Sequence, residues 1–245
     1  MKRRRIIFSV LLAAGAWAYF YNPEPTVISV RIGQTFAEVA HSSSFPVMTS
    51  SNIPDNPLGS GATWVTKPAV IIRYNDPQHG FTLPVTTFAA ISYMDGKVDT
   101  IATTPMLGKM TFSKAIEEVA ALQSQFQAGG WQLDNGTSWY DLTPQGRERL
   151  HGELRKLSNG FTETKMLVIP QKYSMIFRIW CAERCDSNIG LDRYLIDIGL
   201  GKDFGYEIEK REQQKKASVA TGANKTVARG RSASAGNTLL SLGKR

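Results

Sequence analysis

The sequence contains few of the residue patterns that build common reaction centres. It has 245 residues but only two cysteines and three histidines, and the histidines lie far apart at positions 41, 79 and 151. No Gly-x-Ser-x-Gly segment occurs, which argues against the common serine-hydrolase elbow. Phosphate-binding and dinucleotide-binding glycine loops are also missing. We therefore predict no catalytic residues, no cofactor, no metal ion and no enzymatic activity.

The central part of the chain also lacks positive charge. The formal net charge is +8, to which residues 2–5 contribute +4. Residues 206–245 contribute +6, from nine Lys or Arg against three Glu. Residues 6–205 therefore carry −2. Binding to nucleic acid needs a basic face built by the fold, so we predict no nucleic-acid partner.

The first 22 residues have the pattern of an export signal. Four cations at residues 2–5 precede an uncharged run, Ile6–Phe20. Residues 16–18 (Ala-Trp-Ala) satisfy the small-x-small rule for signal-peptidase cleavage after Ala18. As a helix the run would reach about 22 Å, which is less than the roughly 30 Å of a bilayer core. Its length therefore favours a cleaved signal peptide.

The aromatic residues at the end of the run favour a retained signal anchor over a cleaved signal peptide. Trp17, Tyr19, Phe20 and Tyr21 form an aromatic cluster of the kind found at membrane interfaces. Either form of export signal keeps the basic end in the cytoplasm and exports the remainder. We predict an inner-membrane protein with its domain facing the periplasm, or a soluble periplasmic protein after cleavage near Ala18.

The two cysteines lie close together, as Cys181-Ala-Glu-Arg-Cys185. In an exported chain such a pair is first interpreted as a disulfide. The C-x-x-x-C spacing differs from the C-x-x-C of thioredoxin-like redox sites, and a zinc site would need two more ligands. Free thiols are the main alternative to a structural disulfide.

Short-range patterns predict strands and one clear hairpin in the first half of the chain. Thr26–Ile32 and Ala69–Tyr74 have the composition of strands, whereas residues 42–63 show no periodicity and predict a long loop. Thr87–Met94 and Lys97–Thr103 flank an Asp-Gly pair at residues 95 and 96. That pair favours a type I′ turn, because glycine tolerates a positive φ.

Three helices are predicted from their caps and apolar periodicity. Thr35 is a candidate N-cap for a short helix over Phe36, Val39 and Ala40. Thr111 precedes apolar residues at helical spacing, and two glycines at residues 129 and 130 end that pattern before Trp131, which we expect to fold back on the core. Thr143 is followed by proline at the first helical position of the last helix.

Three further strands complete an α+β domain. They are Glu163–Ile169, Tyr173–Cys181 and Arg193–Ile198. Strands joined by tight turns favour one or two antiparallel sheets with helices packed on one side. We predict a signal peptide or anchor over residues 1–22, an exported domain over residues 23–205, and a basic disordered tail over residues 206–245, which has few large apolar residues.

Two groups of polar residues are the strongest candidates for chemistry. Asp76 and His79 lie on one loop and have the residue types of an acid–base pair, although Asp-Pro also opens ordinary turns. The last helix is rich in cations interspersed with acids, which favours a solvated face over an anion-binding surface. Those cations and the accompanying histidine are Arg147, Arg149, His151, Arg155 and Lys156.

Four stretches resemble a known protein family. They are VRIGQTFAEVAHSSSFPV, HGFTLPVTTFAAISYMDGKVDTIATTPM, AGGW and YLIDIG, and the similarity spans about residues 26–203. The family consists of uncharacterised exported proteobacterial proteins associated with type VI secretion effectors. The resemblance implies a periplasmic immunity protein whose partner is a secreted, envelope-targeting toxin. It supplies no catalytic motif, and the basic tail is not part of it.

Three functions remain open from the sequence. The first is a membrane-anchored periplasmic binding protein that neutralises a toxin. The second is a structural or assembly component of the cell envelope. The third is an envelope enzyme with an unrecognised site near Asp76 and His79. The sequence does not identify the interface or the oligomeric state.

Overall fold

The computed structural model describes residues 25–54, 59–134, 138–156, 162–186 and 189–216. The expected signal segment, residues 1–22, and tail residues 217–245 lie outside this range. Among the described residues, no helix is both long and apolar enough to span a bilayer.

The described residues form ten strands, four α-helices and a short 3-10 helix, Val47–Ser50. The strands are β1 Thr26–Val30, β2 Ser60–Val65, β3 Val70–Tyr74, β4 Phe81–Thr82, β5 Ala89–Met94, β6 Lys97–Thr103, β7 Gln132–Leu133, β8 Glu163–Ile169, β9 Tyr173–Glu183 and β10 Arg193–Lys202. The helices are α1 Phe36–Ser42, α2 Phe112–Ala128, α3 Pro144–Lys156 and α4 over residues 204–216.

The strands form two sheets, and the larger one confirms the predicted α+β class. Seven strands pair in the order β2-β5-β6-β10-β9-β8-β7, with every neighbouring pair antiparallel. The smaller sheet has the order β1-β3-β4. Its β1–β3 pair is parallel, and the sequence did not predict this pairing. A parallel pair can form here because the connection between the two strands is long enough to cross over.

One face of the large sheet is covered by helix α2 and by the small sheet. Phe126 of α2 packs its ring edge-to-face on Phe177 of β9, with centroids 5.2 Å apart. The Tyr74 ring of β3 packs on the ring of Tyr173, which also belongs to β9, with centroids 5.6 Å apart. These rings belong to one apolar core, and Trp131 is buried in it, as predicted. The buried alternate residues of β9 and β10, such as Phe177 and Ile198, face this core.

The structure confirms the predicted hairpin turn and the predicted N-cap at Thr35. Asp95 and Gly96 both have positive φ, at 50° and 71°, and β5 and β6 form the predicted hairpin. The Thr35 hydroxyl accepts a hydrogen bond from the Glu38 N–H, and the Glu38 carboxylate accepts one from the Thr35 N–H. Thr111 precedes α2 as predicted but makes no side-chain capping bond.

Two predictions about irregular segments are wrong over part of their length, residues 60–63 and 206–216. Strand β2, Ser60–Val65, begins inside the loop predicted over residues 42–63. Its pairing with β5 stabilises it although its own sequence alternates weakly. The segment predicted to be disordered from Tyr206 starts as a helix, α4. The Asp203 carboxylate accepts a hydrogen bond from the Tyr206 N–H and caps that helix.

Candidate functional site

The loop with Asp76 and His79 is held by structural hydrogen bonds. The Asp76 carboxylate accepts hydrogen bonds from the N–H groups of Gln78 and His79, at 3.0 and 2.9 Å, and from the Tyr173 hydroxyl at 2.8 Å. Burial alone would raise the pKa of Asp76, but these donors hold it below its usual value. A carboxylate with this set of donors acts as a turn cap.

His79 connects the same loop to the end of α2. Its Nδ1 lies 2.8 Å from the carbonyl oxygen of Gly129, and its own carbonyl accepts a hydrogen bond from the Trp131 indole at 3.1 Å. The structure thus places Asp76 and His79 on one loop, as the sequence indicated, but each is bound to a neighbour that fixes the fold. This arrangement favours a structural role for both residues.

The cations of α3 are partly paired. Arg149 forms an ion pair with Asp141 at 2.7 Å, and the Arg155 Nε donates to the Cys185 carbonyl at 3.2 Å. The Arg147 Nε donates to the Leu142 carbonyl. These contacts hold the ends of α3 and agree with the prediction that its cations form a solvated face.

A buried carboxylate that the sequence analysis did not single out lies beside α3. Asp192 Oδ2 lies 2.7 Å from His151 Nε2 and accepts a hydrogen bond from the Tyr194 hydroxyl at 2.6 Å. Phe112 stacks on the His151 ring with centroids 4.3 Å apart. The sequence did not predict this cluster, because His151 and Asp192 are 41 positions apart and no local pattern links them. It joins α3 to the start of β10.

The Asp192 cluster should make stability depend on pH. Burial alone would raise the pKa of Asp192, but hydrogen bonds from Tyr194 and His151 hold it below its usual value. The stabilisation is therefore complete above the unfolded pKa of about 3.9 and is lost as the pH falls through the lower folded value. Chemical unfolding at a series of pH values should show this loss.

The matched variant for that measurement is Asp192→Asn, which preserves the side-chain shape. At pH 7 we expect it to lower the free energy of unfolding by about 1–3 kcal/mol, because it removes charge-assisted hydrogen bonds. The difference between the two proteins should shrink below pH 4. A difference that stayed constant down to pH 2 would contradict the role of the charge.

The two cysteines form a disulfide, with their Cα atoms 5.8 Å apart. The bond closes the start of the connection between β9 and β10, next to the cluster around Asp192. The Cys185 residue is buried, and Arg155 of α3 donates to its carbonyl. The disulfide therefore fixes the end of the sheet on which α3 rests.

Reduction of this disulfide should lower the free energy of unfolding by about 2 kcal/mol, because it closes a five-residue loop in the unfolded chain. Denaturant titrations with and without reductant would measure the change. The double variant Cys181→Ser/Cys185→Ser should show the same loss and no response to reductant. An unchanged midpoint on reduction would contradict the prediction.

Among the described residues, only Phe204 at one end lies over the face of the large sheet opposite the core, and this face is the strongest candidate for a binding surface. Neighbouring residues of β9 show the contrast: Phe177 is 0% exposed, whereas Ile176 is 42% exposed. We call this surface the open face; its main residues are Trp64, Phe88, Met94, Ala102, Ile176, Arg178, Asp197 and Gly199. Apolar residues at the outward positions of β9 were its only signal in the sequence.

The centre of the open face is a depression of about 380 Å³. Phe88 and Ile176 stand at its sides, and its floor contains Ala102 and Gly199, which have little or no side chain. A Cβ added to Gly199 would meet only the Ile176 Cβ within 4 Å, at 3.9 Å. The depression is therefore open enough to receive a large apolar group.

The charged residues at the centre of the open face are hydrogen-bonded to one another. Asp197 Oδ2 accepts hydrogen bonds from the Arg178 Nε and the Trp180 indole, at 3.0 and 2.9 Å, and Oδ1 accepts one from Thr104 at 2.7 Å. Because the charges of Arg178 and Asp197 are already hydrogen-bonded to each other, water can be removed from this surface without leaving an unpaired charge.

No protein-family model, curated protein or solved structure matches the chain. Within the described ranges, no group of three or more His, Cys, Asp or Glu residues is placed to hold a metal ion. The composition of the open face suits contact with a protein, because Trp64, Phe88 and Met94 are exposed on it.

Proposed function

We propose that the protein is an exported binding protein that neutralises a secreted, envelope-targeting toxin. The observation that supports a binding function is the open face, an apolar sheet surface that the described chain covers only at one end, where Phe204 lies over Gly201. Protein interfaces are enriched in the exposed residue types found there, including Trp, Phe, Met and Arg. The resemblance to immunity proteins supplies the toxin as partner.

The polar groups of the structure support the same choice. Asp76, His79, His151 and Asp192 each make short hydrogen bonds that fix loops or helices. Inhibition by binding needs no reaction centre, since an interface of about 1,600 Å² can supply nanomolar affinity through a few anchor residues. Residues 1–22 would hold the domain at the inner membrane, or export it before cleavage near Ala18.

A structural or assembly component of the envelope is the second candidate, and the open face favours it equally. An enzyme site near Asp76 and His79 is the third. Replacing both residues by alanine separates it from the others: a folded double variant that keeps full function in cells argues against a reaction there.

A competition assay tests the immunity function. We expect a strain that lacks the gene to lose survival against a sibling with active type VI secretion, and the full chain supplied on a plasmid to restore it. The matched control is the same chain without residues 1–22, which should stay in the cytoplasm and give no protection. Equal survival of the deletion and parent strains, with every neighbouring effector expressed, would favour the assembly function.

A further inference from the structure

We propose that the open face is the interface of a homodimer, so that a second copy of this chain covers it. The proposal starts from the same observation as the proposed function, the exposed apolar sheet surface, and assigns that surface to a second copy of the chain instead of the toxin. A toxin would then meet the outer surfaces of α2, α3 and the small sheet, which stay accessible in such a dimer.

The shape of the open face is complementary to itself. Phe88 and Ile176 project beside a floor formed by Ala102 and Gly199. In a two-fold dimer each patch must pack against an identical patch, so it must supply both the projecting side chains and the space that receives them. A different protein as partner would require this face to supply either the projecting side chains or the receiving space, but not both. The depression thus provides the receiving space, and it lies beside the side chains that project from the same face.

The charge of the open face is also complementary to itself. Its central charges are one arginine and one aspartate, which lie next to each other on β9 and β10. Two-fold pairing about this point brings Arg178 of one copy near Asp197 of the other and opposes no net charge. A face with charge of one sign would be repelled by its own copy, because like charges would meet.

The area of the open face is sufficient for a stable dimer. Five central strands at about 4.8 Å spacing and roughly eight residues at about 3.3 Å give a surface of about 600 Å² per copy. Two such surfaces bury about 1,200 Å², which is the lower end of the range for specific interfaces. Flat sheet faces pack in this way in β-sandwiches, about 10 Å apart.

Helix α4 extends the same surface at the end of β10. The Phe204 ring lies over Gly201, where an added Cβ would come within 3.1 Å of the ring and 3.6 Å of the Thr100 methyl carbon. Phe204 and Ile208 are one helical turn apart and are 53% and 57% exposed. These side chains would continue the apolar contact onto the second copy.

Sedimentation velocity of the full-length chain, in mild detergent if the N-terminal run is retained, tests the proposal. We expect dimers over the range of roughly 1 to 100 µM. Ile176→Glu should weaken the dimer at least about 100-fold, because the two-fold axis places two unpaired carboxylates in an apolar interface. The matched control is Leu107→Glu, at an exposed apolar residue outside the open face, and this variant should remain dimeric.

A second variant tests the depression without adding charge. Gly199→Leu has space at this position and should preserve the fold while weakening the dimer by about 10-fold or more. A wild-type chain that is monomeric at the highest concentration overturns the proposal, as does a dimer that both variants leave unchanged. A monomeric chain that still protects cells would reject the dimer and retain the immunity function, so the two failures are distinguishable.

Discussion

Replacing Phe177 by alanine should lower the free energy of unfolding by about 3–5 kcal/mol. Phe177 is fully buried, and its ring packs edge-to-face on Phe126 of α2 at 5.2 Å and on Tyr140 at 5.4 Å. The substitution removes the side chain by which β9 holds both the helix and the segment before α3. The cavity cannot collapse easily, because the strand is paired on both sides.

Chemical denaturation monitored by circular dichroism measures this loss as a lower midpoint with an unchanged slope. Leu107→Ala is the control, because it removes a large apolar side chain that is 64% exposed and should change stability by less than about 0.5 kcal/mol. Similar losses in the two variants would show that Phe177 does not carry the contact between the sheet and α2.

Replacing Gly146 by alanine should also be strongly destabilising, by about 2–3 kcal/mol, through overpacking. A Cβ at Gly146 would overlap the Asp141 side chain and its backbone carbonyl oxygen. Asp141 cannot move away freely, because it accepts hydrogen bonds from Thr143 and forms an ion pair with Arg149. The first turn of α3 would have to shift away from the segment that caps it.

Gly152 lies in the same helix and provides a matched control. A Cβ at Gly152 meets no atom within 4 Å, so Gly152→Ala should stabilise the protein by up to about 1 kcal/mol through helix propensity. Opposite signs for the two substitutions, measured by thermal or denaturant unfolding, are the expected result. Stabilisation by both would contradict the close packing of α3 on Asp141.

Local elements of this fold were predictable from the sequence because their causes lie within a few residues. The Asp95–Gly96 turn needs positive φ, and glycine supplies it at the second position. The capping box of α1 joins Thr35 to Glu38, only three residues apart. The disulfide, too, was predictable from the short spacing of the cysteines.

Contacts between distant residues were not predictable from the same patterns. Strand β2 has a weak sequence signal, and its place at the edge of the sheet comes from pairing with β5. The parallel β1–β3 pair and the link between His151 and Asp192 join residues about 40 positions apart. Neither the helix period nor the strand period contains information about such pairings.

The sequence by itself determined the α+β class, the hairpin, the caps and the bonded cysteines, because propensity and spacing act locally. Only the tertiary structure decided which polar residues are structural and which sheet face is covered. Asp76 and His79 had the residue types of an acid–base pair, but their bonds to Tyr173 and Gly129 became visible only after folding. Likewise, β9 carries apolar residues on both faces, and the open face exists because α2 and the small sheet pack on the same side of it.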